Sequence, residues 1–233
     1  EITTRLVGSE MCIRDRSYRV SHELYDAYEE DDLRKTQWWW KRNTFIGNCY
    51  NEFQKEQTGD TLMKTLMANY ILEGIYFYSG FMFFYNLSRN GKMPGSAQEI
   101  RYINRDENTH LWLFRNIILE LKKESPELFT ADKVKTYEAM MREGVEQETA
   151  WGKYVIGNNI QGLNEQMVAD YIRYLGNLRW NSLGYGVLYD GYEREPESMR
   201  WVSQYSNANM VKTDFFEAKS TAYAKSTAIV DDL

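Results

Sequence analysis

The sequence predicts an all-α protein, and three observations support this prediction. The 233 residues include only 3 Pro, so few positions would break a helix. Residues that favour helices, namely Glu, Lys, Met and Leu, are frequent. Apolar residues recur with a helical period in long segments that short turn signals separate. With 43% hydrophobic residues, a chain of this length is expected to form one sizeable domain around a core.

The first 16 residues do not share the helical pattern. Residues 1–16 lack an apolar period and resemble translated sequencing-adapter sequence, so we expect a non-native leader, with an ordinary N-terminal extension as the alternative. Residues 17–205 are predicted to form the helical domain. The final segment, residues 206–233, is rich in Ala, Ser, Thr and Lys and is predicted to be a flexible tail.

Capping and turn signals divide the helical domain into five predicted helices. Asp31 or Asp32 is expected to cap the first, and Gly59 opens the second, which is apolar nearly all round and therefore predicted to be buried. Ser96 and Glu99 form an S-x-x-E capping box that is expected to start the third. The last four helices are predicted at about 61–88, 97–122, 131–156 and 165–183.

Composition narrows the class of function. The net charge of −6 argues against nucleic acid as the main partner, because phosphate binding needs a basic field. No apolar run approaches the roughly 20 residues that a membrane span needs, and no signal peptide is visible. Cys12 and Cys49 cannot form a disulfide framework or a Cys-rich zinc site, so we expect a protein of the reducing cytoplasm.

The first candidate for chemistry is a single acid in the most apolar predicted helix. Glu73 lies within the sequence YILEGIYF, residues 70–77. An ionised carboxylate in such surroundings is strongly destabilised unless it is paired or bound to a cation. A core Glu that pairs with an Arg, or that stays protonated, would explain the residue equally well.

The second candidate is an E-x-x-H pair on the next predicted helix. Glu107 and His110 lie about 60° apart in rotation and about 4.5 Å apart in rise, so both can reach one metal ion. The pattern is short and recurs by chance, but His22 and His110 are the only two His residues. Helices joined by a short connection are antiparallel neighbours, so Glu73 is expected to face the same site.

These residues form half of a known ligand set. Ferritin-like dimetal proteins take one Glu from each of two helices and an E-x-x-H from each of two others. Here the remaining histidine, His22, has Arg19 three residues before it, so the second E-x-x-H cannot be formed. The sequence therefore predicts a ferritin-like helical bundle that is incomplete at its N-terminus.

The ligand segments resemble the last two ligand helices of the small, radical-generating subunit of class I ribonucleotide reductases. The resemblance covers about residues 20–233 and is carried by LEGIYFY at 72–78, Phe81, IRYINRDENTH at 100–110, Glu146-Gln147-Glu148 with Trp151, and Phe215-Phe216-Glu217 followed by Tyr223. The resemblance implies that Glu73, Glu107 and His110 ligate one of two metal ions or bridge them. Iron is expected, with manganese or a mixed Mn/Fe pair as alternatives.

The same resemblance implies roles around and beyond the metals. Phe77, Phe81 and Ile103 would form a dry apolar pocket that shields a radical, although core packing alone also explains them. Asp106 would orient a ligand and belong to the radical-transfer chain. Tyr223, assisted by Glu217, would relay the radical toward the large catalytic subunit.

The implied function is that of the small subunit of a ribonucleoside-diphosphate reductase, an oxidoreductase of deoxyribonucleotide biosynthesis. Such a subunit would form a homodimer and dock on the large subunit through the tail, residues 206–233. Because the upstream ligands and a radical Tyr have no candidate, we expect a truncated reading frame that is inactive alone. The alternatives are another dimetal-carboxylate ferritin-like oxidase or oxygenase, and a non-catalytic helical bundle.

Overall fold

The structure, a computed structural model, describes residues 37–206, with side chains from residue 41 onward. Within this range the regular elements are helical, and one isolated β-bridge joins Ile160 to Leu163. The α-helices are α1 (Gln37–Lys55), α2 (Gly59–Ile71), α3 (Tyr78–Arg89), α4 (Pro94–Glu124), α5 (Ala131–Ile156), α6 (Glu165–Ser182) and α7 (Arg200–Ser206). A π-helical turn, Leu72–Tyr76, joins α2 to α3, and short 3₁₀ helices lie at Pro126–Phe129 and Glu197–Met199.

The prediction of an all-α protein is confirmed for the described residues. The helix expected at about 131–156 agrees with α5, and the one at about 165–183 agrees with α6 to within a residue. Within residues 37–206, every helix is too short or too polar to span a lipid bilayer. The predicted leader, the cap of the first helix and the tail from residue 207 onward lie outside the described residues.

Local side-chain hydrogen bonds explain where two of the helices begin. At the start of α2, Thr58 Oγ1 accepts the Thr61 N–H at 3.3 Å, and Thr61 Oγ1 accepts the Thr58 N–H at 3.1 Å. At the start of α6, Asn164 Oδ1 accepts the Met167 N–H at 2.9 Å. These bonds satisfy backbone donors that have no partner within the first turn of a helix.

The predicted start of the third helix is wrong. α4 begins at Pro94 rather than at a capping box formed by Ser96 and Glu99, so Ser96 lies inside the first turn. Proline suits the first helical position because its φ is already helical and its missing N–H would have no partner there. Met93, just before it, adopts a left-handed conformation with φ of 47°, and this changes the direction of the chain where the helix begins.

Helix α5 is central to the described bundle. It packs most extensively against α6 and also contacts α1, α2, α3 and the π turn. Met141 and Val145 on α5 are fully buried, as is Ile71 at the end of α2. A Cβ added at Gly144 would overlap Ile71 Cγ2, so the glycine allows α5 and α2 to approach closely. Each such buried side chain contributes about 1.5–3 kcal/mol through removal of apolar surface from water.

A buried ion pair links α1 to α5. Arg42 Nη2 lies 2.7 Å from Glu148 Oε2, and the Glu148 side chain is completely buried. The guanidinium also lies over the rings of Tyr76 and Trp151, with its central carbon 4.6 and 5.4 Å from the ring centroids. Burial raises the pKa of Glu148 to about 7, although the Arg42 charge and hydrogen bonds from Ser79 act in the opposite direction.

We predict that Glu148 makes folding stability depend on pH. Its folded-state pKa of about 7 lies above its ordinary value of 4.5. Because the folded state holds this proton more tightly, the stability that Glu148 contributes is fully present below pH 4.5. It is lost as the pH rises to about 7 and the carboxyl group ionises. In urea titrations across this range, the free energy of unfolding of the wild-type chain should fall relative to that of a Glu148→Gln variant, which has no titrating group at this position.

Glu138→Gln is the matched control for this prediction. Glu138 lies on the same helix and pairs with Arg142, but its side chain is 37% exposed. Its substitution should leave the shape of the stability profile unchanged, because solvent screens exposed pairs. Parallel pH profiles for Glu148→Gln and the wild-type chain would contradict the assignment.

Candidate metal centre

The helix predicted at about 61–88 is not one continuous α-helix. α2 widens after Ile71 into the π turn Leu72–Tyr76, and regular α-helix resumes at Tyr78. A π turn accommodates an extra residue, so it changes the direction in which side chains point relative to an uninterrupted α-helix. Glu73 lies within this turn. The prediction of one continuous helix is therefore wrong. Helical periodicity cannot reveal one extra residue in a segment that is apolar on nearly every side.

Gly74 allows α4 to approach the π turn closely. A Cβ at Gly74 would lie 2.9 Å from Leu111 Cδ1 and 3.3 Å from Arg179 Nε. The first of these distances is shorter than a real Cβ contact, so the end of the Leu111 side chain would have to move if Gly74 carried a side chain. Gly74 follows Glu73 and Leu111 follows His110, so this close contact lies next to two of the candidate ligands.

The structure brings the three predicted metal ligands into one group. Glu107 Oε2 lies 2.9 Å from His110 Nδ1, and Glu73 Oε2 lies 3.8 Å from the same nitrogen. One potential ligand atom from each residue lies within 4.8 Å of those of the other two. Glu73 and Glu107 are buried, at 6% and 4% exposure, whereas the His110 side chain is 37% exposed. The group therefore lies at the edge of the described core.

The donor set fits a first-row transition-metal ion. Carboxylate and imidazole groups are ligands for iron and manganese, and a cation would compensate for the burial of two carboxylates. Across residues 37–206, Glu73, Glu107 and His110 form the one group of three or more His, Cys, Asp or Glu side chains that could hold an ion. The described residues thus supply three candidate ligand side chains, fewer than the six of a complete dimetal set.

Two of the three predicted pocket residues lie together near the π turn. The rings of Phe77 and Phe81 are 6.1 Å apart, and Phe81 is buried. Ile103 lies on α4, one helical turn before Glu107, and is partly buried against the core. These positions agree with ordinary core packing, and the shielding role of the three residues stays a prediction.

The positions of the remaining predicted residues do not test their roles. Asp106 lies beside Glu107 on α4, and its Oδ1 accepts a hydrogen bond from Arg105 Nε at 3.1 Å. The side chain of Asp106 is 34% exposed, so its role in orienting a ligand also stays a prediction. Tyr223 and Glu217 lie outside the described residues.

Sequence reasoning assigned no role to three charged residues that contact the backbone around Glu73. Arg42, Glu148 and Arg179 bond to main-chain groups of residues 74–79. These contacts join positions 34, 69 and 105 residues apart in the chain, so no local pattern could predict them. Gly74 was the only available signal, because a glycine inside a helix is destabilising unless packing requires it.

Comparison with known proteins identifies the family to which this site belongs. A family model described as "Ribonucleotide reductase, small chain" matches residues 16–196. The chain is 71% identical over 192 residues to the ribonucleoside-diphosphate reductase subunit beta of Treponema pallidum, covering 82% of this chain and 55% of that protein. It is 39% identical over 206 residues to the corresponding subunit of Halalkalibacterium halodurans, covering 88% of this chain and 58% of that protein.

A solved structure agrees with these matches. The ribonucleotide reductase R2 subunit from Clostridium botulinum superposes with a TM-score of 0.70 at 46% sequence identity, covering 76% of this chain and 55% of that chain. The agreement confirms the predicted ferritin-like helical bundle. The chain spans a little over half the length of these relatives. All of them are reductase subunits, which favours this family over the other dimetal oxidases considered as alternatives. The chain belongs to the ribonucleotide reductase small-chain family.

Proposed function

We propose that this chain is part of the small subunit of a ribonucleoside-diphosphate reductase. In this role a metal centre generates the radical that a large subunit uses to reduce ribonucleotides to deoxyribonucleotides. The observation that supports the proposal most directly is the convergence of Glu73, Glu107 and His110 in a chain of this family. The relatives reported above carry the name of this reductase.

Membership in the family implies a dimetal centre, and Glu73, Glu107 and His110 are the side chains of this chain that would hold it. When bound, the metals supply the one-electron oxidising chemistry that the protein itself lacks. We propose iron as the metal, with manganese or a mixed Mn/Fe pair as alternatives that the same oxygen and nitrogen donors accept. The chain's own contribution is to hold two carboxylates and one imidazole in position before any metal arrives.

The residues around the ligands would control water and the radical. Phe77, Phe81 and Ile103 present apolar surface near the ligand helices, which would keep water away from an oxidising species. Asp106, next to Glu107, would orient a ligand and begin the path by which the radical leaves. Tyr223 and Glu217 would continue that path toward the large subunit.

The proposed partners are a large catalytic subunit and a second copy of the small subunit. The last residues of the tail are acidic and apolar, and include Ile229, Val230 and Leu233. An extended segment of this kind suits a groove on a larger protein, where apolar side chains fill pockets and the segment becomes ordered on binding.

We predict that the 233-residue chain binds Fe²⁺ or Mn²⁺ weakly and forms no stable tyrosyl radical. The physical reason is that the described residues provide three ligand side chains, and that His22 cannot complete a second E-x-x-H. Metal analysis after desalting and electron paramagnetic resonance would measure both quantities. Two tightly retained ions per chain, together with a tyrosyl signal, would contradict this prediction.

The weak binding should nonetheless depend on the named ligands. We expect Glu107→Gln to raise the Kd for Co²⁺, used as a spectroscopic probe, by more than about tenfold, since even partners of metal ligands contribute about 10- to 100-fold to affinity. Glu120→Gln is the matched control, because Glu120 lies on the same helix but is exposed and pairs with Lys123. Equal Co²⁺ affinity in the two variants would count against the site.

The tail assignment generates a separate prediction. A peptide of residues 213–233 should compete with an intact small subunit for binding to a reductase large subunit, because the proposed docking residues lie within it. Fluorescence anisotropy with a labelled peptide would measure the competition, and a scrambled peptide of the same composition is the control. Absence of competition at high peptide concentration would rule out the tail as the docking segment.

A further inference from the structure

The backbone around Glu73 depends on side chains from other helices. Where a π turn interrupts an α-helix, the regular ladder of backbone hydrogen bonds is disturbed, and polar groups there need other partners. Arg42 Nη2 donates to the Tyr76 carbonyl at 2.5 Å, and Arg179 Nε donates to the Gly74 carbonyl at 3.3 Å. The Ser79 N–H donates to Glu148 Oε1 at 3.1 Å. Three main-chain groups within residues 74–79 therefore bond to three charged side chains.

These three side chains come from three different helices and are held in place themselves. Arg42 lies on α1, Glu148 on α5 and Arg179 on α6. Arg42 and Glu148 form the buried ion pair described above, in which Arg42 is only 12% exposed. Arg179 also donates through Nη2 to the Tyr78 hydroxyl at 2.8 Å. We refer to Arg42, Glu148 and Arg179 together as the clamp.

We infer that the clamp is a positioning device for the metal site: it holds the π turn in the conformation that directs Glu73 toward Glu107 and His110. This inference rests on the proposed metal-binding function of those three residues. Glu73 immediately precedes Gly74, whose carbonyl Arg179 binds. Without the clamp, the Tyr76 carbonyl and the Ser79 N–H would have to find partners within their own helix, which would change the rotation of the turn that carries Glu73.

Stability alone does not account for the ion pair of the clamp. Replacement of a buried ion pair by apolar residues of similar volume is often neutral or stabilising, because desolvation offsets much of the attraction between the charges. The pair here does more than join α1 to α5, since each partner also bonds to the backbone near Glu73. A role in positioning explains these additional bonds, whereas a role in helix packing does not require them.

The test is a double variant of the full chain, Arg42→Met with Glu148→Leu, which replaces the ion pair by apolar side chains. We expect it to fold with a Tm similar to that of the wild-type chain, because no charge is left buried without its partner. Amide hydrogen exchange across residues 72–79 should nevertheless become faster, and the Kd for Co²⁺ should rise by about tenfold or more, as for other residues that orient metal ligands.

A matched control separates positioning from general effects of charge removal. The double variant Arg142→Met with Glu138→Leu removes another Arg–Glu pair, in which the Glu also lies on α5, but at the surface. It should change neither exchange across residues 72–79 nor the affinity for Co²⁺. In a Glu73→Ala background, the clamp variant should cause no further loss of Co²⁺ affinity, since the residue that it positions is absent.

A second variant, Arg179→Lys, tests the same inference if the first variant misfolds. Arg179→Lys keeps the positive charge but cannot bond to both the Gly74 carbonyl and the Tyr78 hydroxyl in the same way, so it should also speed exchange in the π turn. Unchanged exchange and Co²⁺ affinity in both clamp variants would overturn the inference. If the wild-type chain binds no Co²⁺, the proposed metal site is wrong. The rate of hydrogen exchange across residues 72–79 then shows by itself whether the clamp holds the turn.

Discussion

The structure depends on the burial of carboxylates inside an apolar helical bundle. Glu73, Glu107 and Glu148 are each less than 7% exposed, and an ionised carboxylate at such a position is unfavourable unless positive charge or hydrogen-bond donors surround it. The chain meets this constraint in two ways. Glu148 pairs with Arg42, whereas Glu73 and Glu107 converge on His110. The first arrangement joins a carboxylate to an arginine, and the second combines carboxylate and imidazole groups that suit a metal ion.

The two buried groups are connected through the π turn. Glu73 lies inside that turn, while Arg42 and Glu148 bond to its backbone at Tyr76 and Ser79. A local departure from α-helical geometry is unfavourable on its own, so it persists only where surrounding contacts determine it. In this molecule those contacts come from α1, α5 and α6, which means that the bundle as a whole holds the position of one carboxylate.

The three candidate ligands differ in how far they are exposed to solvent. Glu73 and Glu107 are buried, whereas more than a third of the His110 side chain remains exposed within the described residues. Relatives in this family are almost twice as long as the matched region. The described helices thus bring together, at the edge of their shared core, the three residues that the ligand pattern predicts as candidate ligands.

The sequence by itself determined the helical class, the bounds of α5 and α6, and the choice of Glu73, Glu107 and His110 as candidate ligands. Helical periodicity, turn residues and the E-x-x-H spacing are local, and local patterns are visible without a structure. Tertiary structure alone decided how these three side chains meet. The π turn at Leu72–Tyr76, the close approach at Gly74 and the bonds from Arg42 and Arg179 depend on residues far apart in the chain. Such contacts follow from the packing of whole helices, which no short pattern encodes.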